Sequence, residues 1–119
     1  MGHVNVKLKL ANPVSPSGTA IEASALVDTG ATFTTIPKHL CEKLGLRVTG
    51  KRRVRTATQL ETLEQSFALL EINGNVTVTP ILVSETLDKI LVGVITLEAL
   101  GLTVDPTTGQ LKETETYLL

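Results

Sequence analysis

The chain holds a single cysteine, Cys41, among 119 residues. One thiol closes no intrachain disulfide and builds no cysteine-based zinc site. An excess of charge is missing too: 11 Lys and Arg stand against 12 Asp and Glu, for a net charge of −1. That balance gives no electrostatic reason to expect nucleic acid as a partner. No apolar run approaches the roughly 20 residues of a membrane span, so no membrane partner is expected. The start, Met1-Gly2-His3-Val4-Asn5-Val6, lacks the apolar core of a signal peptide, and Val6 spoils a myristoylation match. A cytoplasmic location is the resulting expectation. The two histidines, His3 and His39, show no metal-ligand or triad spacing, so no metal or other cofactor is expected. Ser66 and Ser84 lack the context of a nucleophile. Repeats, low-complexity tracts and linkers are absent as well. What remains is the length and composition of one globular domain over residues 1–119, 42% apolar and 19% charged.

Short strands dominate the pattern. Val4, Val6, Leu8 and Leu10 alternate with Asn5, Lys7 and Lys9, the period of a half-buried strand. The turn formers of Asn12-Pro13-Val14-Ser15-Pro16-Ser17-Gly18 reverse the chain into a second strand from about Thr19 to Val27. Pro37 suits the first turn of a helix over Lys38 to Leu44, and Gly45 suits its left-handed C-terminal cap. Val48 to Thr56 and Leu63 to Ile72 read as paired strands. Asn73-Gly74 is a tight-turn signal, and Val76 to Val83 continues as another strand. Glu98-Ala99-Leu100 before Gly101 predicts a second short helix. Asp105-Pro106-Thr107-Thr108-Gly109 is a further turn into a polar C-terminal strand. The tally is an all-β domain with two small helices.

Chemistry concentrates in Leu26-Val27-Asp28-Thr29-Gly30-Ala31-Thr32. An apolar strand that ends on Asp carries a carboxylate toward the interior, which is costly unless hydrogen bonds hold it. Gly30 lets its N–H approach that carboxylate, and Thr29 offers a hydroxyl to brace the loop. Such a loop presents a fixed carboxylate beside a water molecule. As a mere strand-ending turn, Asp-(Thr/Ser)-Gly occurs by accident in roughly one chain of this size in twenty, and less often after two aliphatic residues.

Asp-Thr-Gly-Ala after an apolar strand resembles the active-site loop of the retropepsin-like aspartic proteases. Ile90-Leu91-Val92-Gly93, with Leu97 and Leu100 beyond, resembles the second signature of that family, an apolar strand ending at Gly before a helix. Leu100-Gly101-Leu102-Thr103-Val104-Asp105, Ile36-Pro37, Leu40 and Leu44-Gly45-Leu46 extend the likeness from about Val4 to Leu111. The resemblance implies a closed β-barrel, half of an acid protease, with a flap hairpin and one or two short helices. It implies that Asp28 is catalytic and that Thr29, Gly30 and Ala31 support the loop, Thr29 bracing the loop of a second chain. The flap would lie in Arg53 to Gln65, with Thr58, Gln59 and Leu60 near its tip as substrate contacts. Flap tips of the family usually bear glycine, and none stands between Gly50 and Gly74.

A carboxylate dyad needs one ionised group to take a proton from water and one protonated group to donate toward the carbonyl. Only one Asp-(Thr/Ser)-Gly is present, and Asp88 and Asp105 lie in unlike contexts. The second Asp28 must then come from another copy, which makes the expected protein a homodimeric aspartic endopeptidase acting on a peptide or protein substrate. Its extended ends, Val4 to Leu10 and Glu113 to Leu119, are natural places for strands to interleave across the axis. The alternative is a non-catalytic peptide-binding or assembly module on the same fold. The cluster Lys51-Arg52-Arg53-Val54-Arg55 reads as a solvated edge strand kept from aggregating; if functional, it would favour acidic substrates. Cys41 falls on the apolar face of the first helix, where a packing role is expected.

Overall fold

The alternating N-terminal segment forms β1 (Val4–Ala11) and pairs antiparallel with β2 (Ile21–Val27). The structure, a computed structural model, describes residues 4–15, 18–116 and 118, so Pro16 and Ser17 of the first turn lie outside the described residues. Beyond β2 follow β3 (Thr34–Pro37), α1 (Lys38–Leu44), β4 (Gly50–Arg55), β5 (Leu60–Ile72) and β6 (Asn75–Ser84). The chain closes with β7 (Ile90–Val92), α2 (Val94–Leu100), β8 (Leu102–Val104) and β9 (Leu111–Glu113).

Strands β1-β2-β7-β3-β6-β5 run in that order and close on themselves through β1–β5, a barrel of six strands. Strand β4 hangs outside the closure, paired among the described residues only with β5, and β8–β9 make a separate two-stranded sheet. Closure leaves the apolar faces no exit, and Leu10, Ile36, Leu70, Ile72, Ile81, Ile90, Val27 and Val92 are fully buried. Each such side chain contributes about 1.5–3 kcal/mol on leaving water.

The turns follow their residue chemistry. Asn73 (φ 53°) and Gly74 (φ 82°) both take positive φ, as a two-residue hairpin turn between β5 and β6 requires. Gly45 at φ 66° ends α1, and its N–H donates back to the carbonyl of Glu42. Cys41 is buried on the inner face of α1, as its position in the helix predicts.

Three details differ from the sequence expectation. Strand β3 is only four residues long and pairs parallel with β6, a non-local partnership that no local pattern announces. Strand β5 begins at Leu60, three residues earlier than expected, because Leu60–Gln65 pairs with β4 while Glu64–Ile72 pairs with β6. One strand thus serves both the flap arm and the barrel. Strand β1 is used inside its own barrel: β2 lines one edge and β5 takes Lys9–Ala11 on the other, so only Val4–Leu8 keeps a free edge. At the other end β9 stops at Glu113, and Tyr117 and Leu119 lie outside the described residues.

Candidate active site

Strand β7 lies between β2 and β3, pairing parallel with β2 through Ala25↔Ile90, Leu26↔Leu91 and Val27↔Val92. The N–H of Asp28 extends this ladder by donating to the Val92 carbonyl at 2.9 Å. The loop from Asp28 to Phe33 then crosses the end of β7 to reach β3. Where it crosses, Gly93 turns the chain into α2.

That junction is tight. A Cβ at Gly93 would sit 2.6 Å from both C and O of Phe33 and 2.8 Å from the Thr32 carbonyl oxygen, so only glycine fits beneath the loop. Helix α2 has no side-chain N-cap. Its first N–H groups instead donate to the loop: Val94 to the Ala31 carbonyl at 2.8 Å and Ile95 to that of Thr32 at 3.0 Å. The loop caps the helix and the helix fixes the loop.

Within the loop, the Gly30 N–H donates to Asp28 Oδ1 at 2.9 Å and the Ala31 N–H donates to the Asp28 carbonyl at 3.0 Å. A Cβ at Gly30 would lie 3.3 Å from that Oδ1, so a side chain there would push on the carboxylate. Asp28 is half-buried, and its carboxylate makes no other hydrogen bond among the described residues. Thr29 and Gly30 are exposed and Ala31 is half-buried. The Thr29 hydroxyl has no partner among the described residues of this single chain.

Three fully buried threonines brace the site from below. Gly93 N–H donates to Thr34 Oγ1 at 3.1 Å, Thr34 and Thr96 hydroxyls pair at 2.6 Å, and Thr96 and Thr79 pair at 2.8 Å. The relay runs from β3 through α2 to β6, and no described buried side-chain polar atom is left unpaired. Sequence reasoning missed it. The available signal was a lone hydroxyl inside the apolar run Val94-Ile95-Thr96-Leu97, which must find a partner if buried.

The expected flap forms as the β4–β5 hairpin, with its bend at Thr56–Gln59; Thr58 and Gln59 lie in that bend, and Leu60 is the first residue of β5. Here the Thr56 side chain replaces the missing glycine. Its Oγ1 accepts from the N–H groups of Thr58 at 3.3 Å and Gln59 at 3.1 Å, while the Thr56 N–H donates to the Gln59 carbonyl at 2.8 Å. No tip residue has positive φ, so glycine is not required. At the base of the flap, a groove of about 460 Å³ is lined by Lys51, Glu61, Thr62, Leu63, Glu64, Val83, Glu85 and Thr86. A second groove of about 430 Å³, against Lys7, Lys9, Glu22 and Glu71, lies on the β1–β2 side. Asp28 lines neither of them. Among the described residues, no cluster of His, Cys, Asp and Glu is suited to a metal.

A small closed barrel with an Asp-Thr-Gly loop set over a strand-Gly-helix junction defines the retropepsin-like class of acid proteases. The sequence profile of the aspartyl proteases matches residues 13–94, and the chain belongs to that family. No curated protein sequence matches it significantly. Among solved structures, the solution structure of simian foamy virus (mac) protease is similar at a TM-score of 0.56 and 19% identity, covering 79% of this chain and 91% of that one. The foamy viral protease-reverse transcriptase in complex with an RNA/DNA hybrid is similar at 0.59 and 12% identity, covering 97% of this chain and 13% of that one. At these identities the likeness is one of fold.

Proposed function

We propose that residues 1–119 form one domain of an aspartic endopeptidase, active as a homodimer in which Asp28 faces its own copy across a two-fold axis. The observation that carries this reading is the Asp28 carboxylate: one oxygen is fixed by the Gly30 N–H and the group has no other partner among the described residues. A lone carboxylate cannot act as base and acid at once. Two of them about 3 Å apart share one proton, because both cannot ionise together.

The ionised carboxylate takes a proton from water, and the hydroxide oxygen bonds to the scissile carbonyl carbon. The protonated carboxyl donates to the carbonyl oxygen, giving a neutral tetrahedral diol. Collapse of the diol breaks the C–N bond: the protonated carboxyl gives its proton to the leaving nitrogen while the other carboxylate takes a proton from a diol hydroxyl, which re-forms the carbonyl and restores the singly protonated pair. The exposed Thr29 hydroxyl braces the loop of the opposite chain, and the flap covers an extended peptide through Thr58, Gln59 and Leu60. The test is cleavage of a diverse peptide library, read by mass spectrometry. Hydrolysis lost by orders of magnitude in Asp28→Asn supports the reading, whereas residual activity within tenfold of the parent places the chemistry elsewhere.

A further inference from the structure

Strand β4 carries Lys51, Arg52, Arg53 and Arg55 and no acidic residue. Among the described residues the ion pairs are Lys9–Glu22 and Lys38–Glu85, so none of these four cations is neutralised by one. Three of them answer to the ordinary needs of an exposed edge strand. Arg52 does not. Its guanidinium carbon lies 4.4 Å from the centroid of the Phe33 ring, and its Nε–H donates to Gln65 Oε1 at 3.3 Å. Phe33 is the last residue of the loop that begins at Asp28, and its carbonyl is wedged against Gly93. The ring, half-buried at the end of the held loop, meets the flap arm through Arg52. Their contact places one guanidinium where the flap arm meets the end of the Asp28 loop.

The residue opposite Arg52 across the hairpin is Leu63, not a carboxylate. Stacking uses the face of the guanidinium and the Gln65 contact uses one N–H, so the four Nη–H donors at its edge remain for a ligand. A planar, stacked fork of this kind suits a carboxylate bound through two parallel hydrogen bonds.

We propose that Arg52, positioned by Phe33 and Gln65, is a specificity-determining residue that selects an acidic side chain in the bound peptide close to the Asp28 loop. The inference takes from the peptidase reading only that the ligand is an extended peptide. It is tested by binding as well as by cleavage, so that the two can fail separately.

An octapeptide library in which each position is varied between Glu and Gln is captured on the immobilised Asp28→Asn protein and, in parallel, cleaved by the parent. One position should favour Glu over Gln by about tenfold, as expected for a charge-assisted contact near solvent. Arg52→Met keeps the stem over Phe33 but should bring that ratio close to one. Arg52→Lys keeps the charge without the fork and should retain a reduced preference. Arg53→Met removes the same charge from the adjacent, oppositely facing position and should leave the ratio intact. Glu preference on the Asp28→Asn protein without any cleavage by the parent would uphold Arg52 and defeat the peptidase reading. Absence of an acidic preference at every position, or a preference that survives Arg52→Met, would overturn the proposal.

Discussion

Replacing Gly93 by alanine adds one methyl group at the most crowded point of the fold. Its carbon would stand 2.6 Å from two atoms of Phe33, about 0.8 Å inside the 3.4 Å at which ordinary contact begins, and all three opposing atoms are backbone. Gly93 itself has φ −96°, which any residue adopts, so the penalty is purely steric. Relief requires the loop to lift from β7 and α2. That motion stretches the bonds from Val94 to Ala31, from Ile95 to Thr32 and from Gly93 to Thr34. Overpacking costs about 1–3 kcal/mol, and losing one or two of these hydrogen bonds adds about 1 kcal/mol each, which together give about 2–5 kcal/mol. For a domain of this size, Tm falls by roughly 4 °C per kcal/mol, so a drop of about 8–20 °C is expected at fixed protein concentration. Gly50→Ala is the matched control: nothing lies within 4 Å of its added Cβ, and the change should be neutral or stabilising by up to about 1 kcal/mol. Thermal unfolding of both variants by circular dichroism decides the matter. Equal Tm values for the Gly93 and Gly50 variants would refute the steric argument.

Thr96→Val keeps the shape of the side chain but breaks the threonine relay at its centre, leaving Thr34 and Thr79 to find new partners. It should cost about 1–3 kcal/mol in denaturant unfolding, and a stability equal to the parent would show that the relay contributes nothing. Burial first, then the charges of Glu64 and Glu42, push the Cys41 thiol above its ordinary value against a smaller opposing effect of Lys38. Native protein should therefore react with a disulfide reagent far more slowly than unfolded protein at pH 8. The fold favours the neutral thiol, so this contribution to stability is present below the unfolded thiol pKa and is lost as pH rises through the folded one. For the proposed dyad, the pH–rate profile should be bell-shaped on the acid side of neutrality and indifferent to chelators. Its limbs mark loss of the base at low pH and loss of the acid at high pH. Activity that climbs steadily through pH 9 would exclude a shared proton.

Much of the architecture is legible because local patterns specify it. The alternation of Val4 to Leu10 gives β1, Asn73-Gly74 gives a two-residue turn and Pro37 with Gly45 brackets α1. The Asp28 loop and the Ile90–Gly93 segment are legible for the same reason, each being a short run with a distinctive order of residues. Features made by distant partners are not. Thr34 meets Thr96 and Thr96 meets Thr79 only because the barrel closes, and β3 exists as a strand only because β6 and β7 flank it. The Arg52–Phe33 stack belongs to the same class: Arg52 reads in sequence as one cation in a run, and only the tertiary fold separates it from its neighbours. The glycine-free flap tip is a different case. Its solution is local, the Thr56 hydroxyl replacing a special backbone conformation, and the pattern Thr-Ala-Thr-Gln carries no strong signal for it.

The most direct test of the account mixes parent protein with Asp28→Asn in equal amounts and measures peptide hydrolysis after subunit exchange, at constant total concentration. If each site needs Asp28 from both chains, only parent–parent pairs are active. With random pairing these are roughly a quarter of the dimers, so the rate should fall to roughly a quarter of that of the parent alone. A rate of roughly half, proportional to the parent protein present, would mean that each chain works by itself and would contradict the shared dyad.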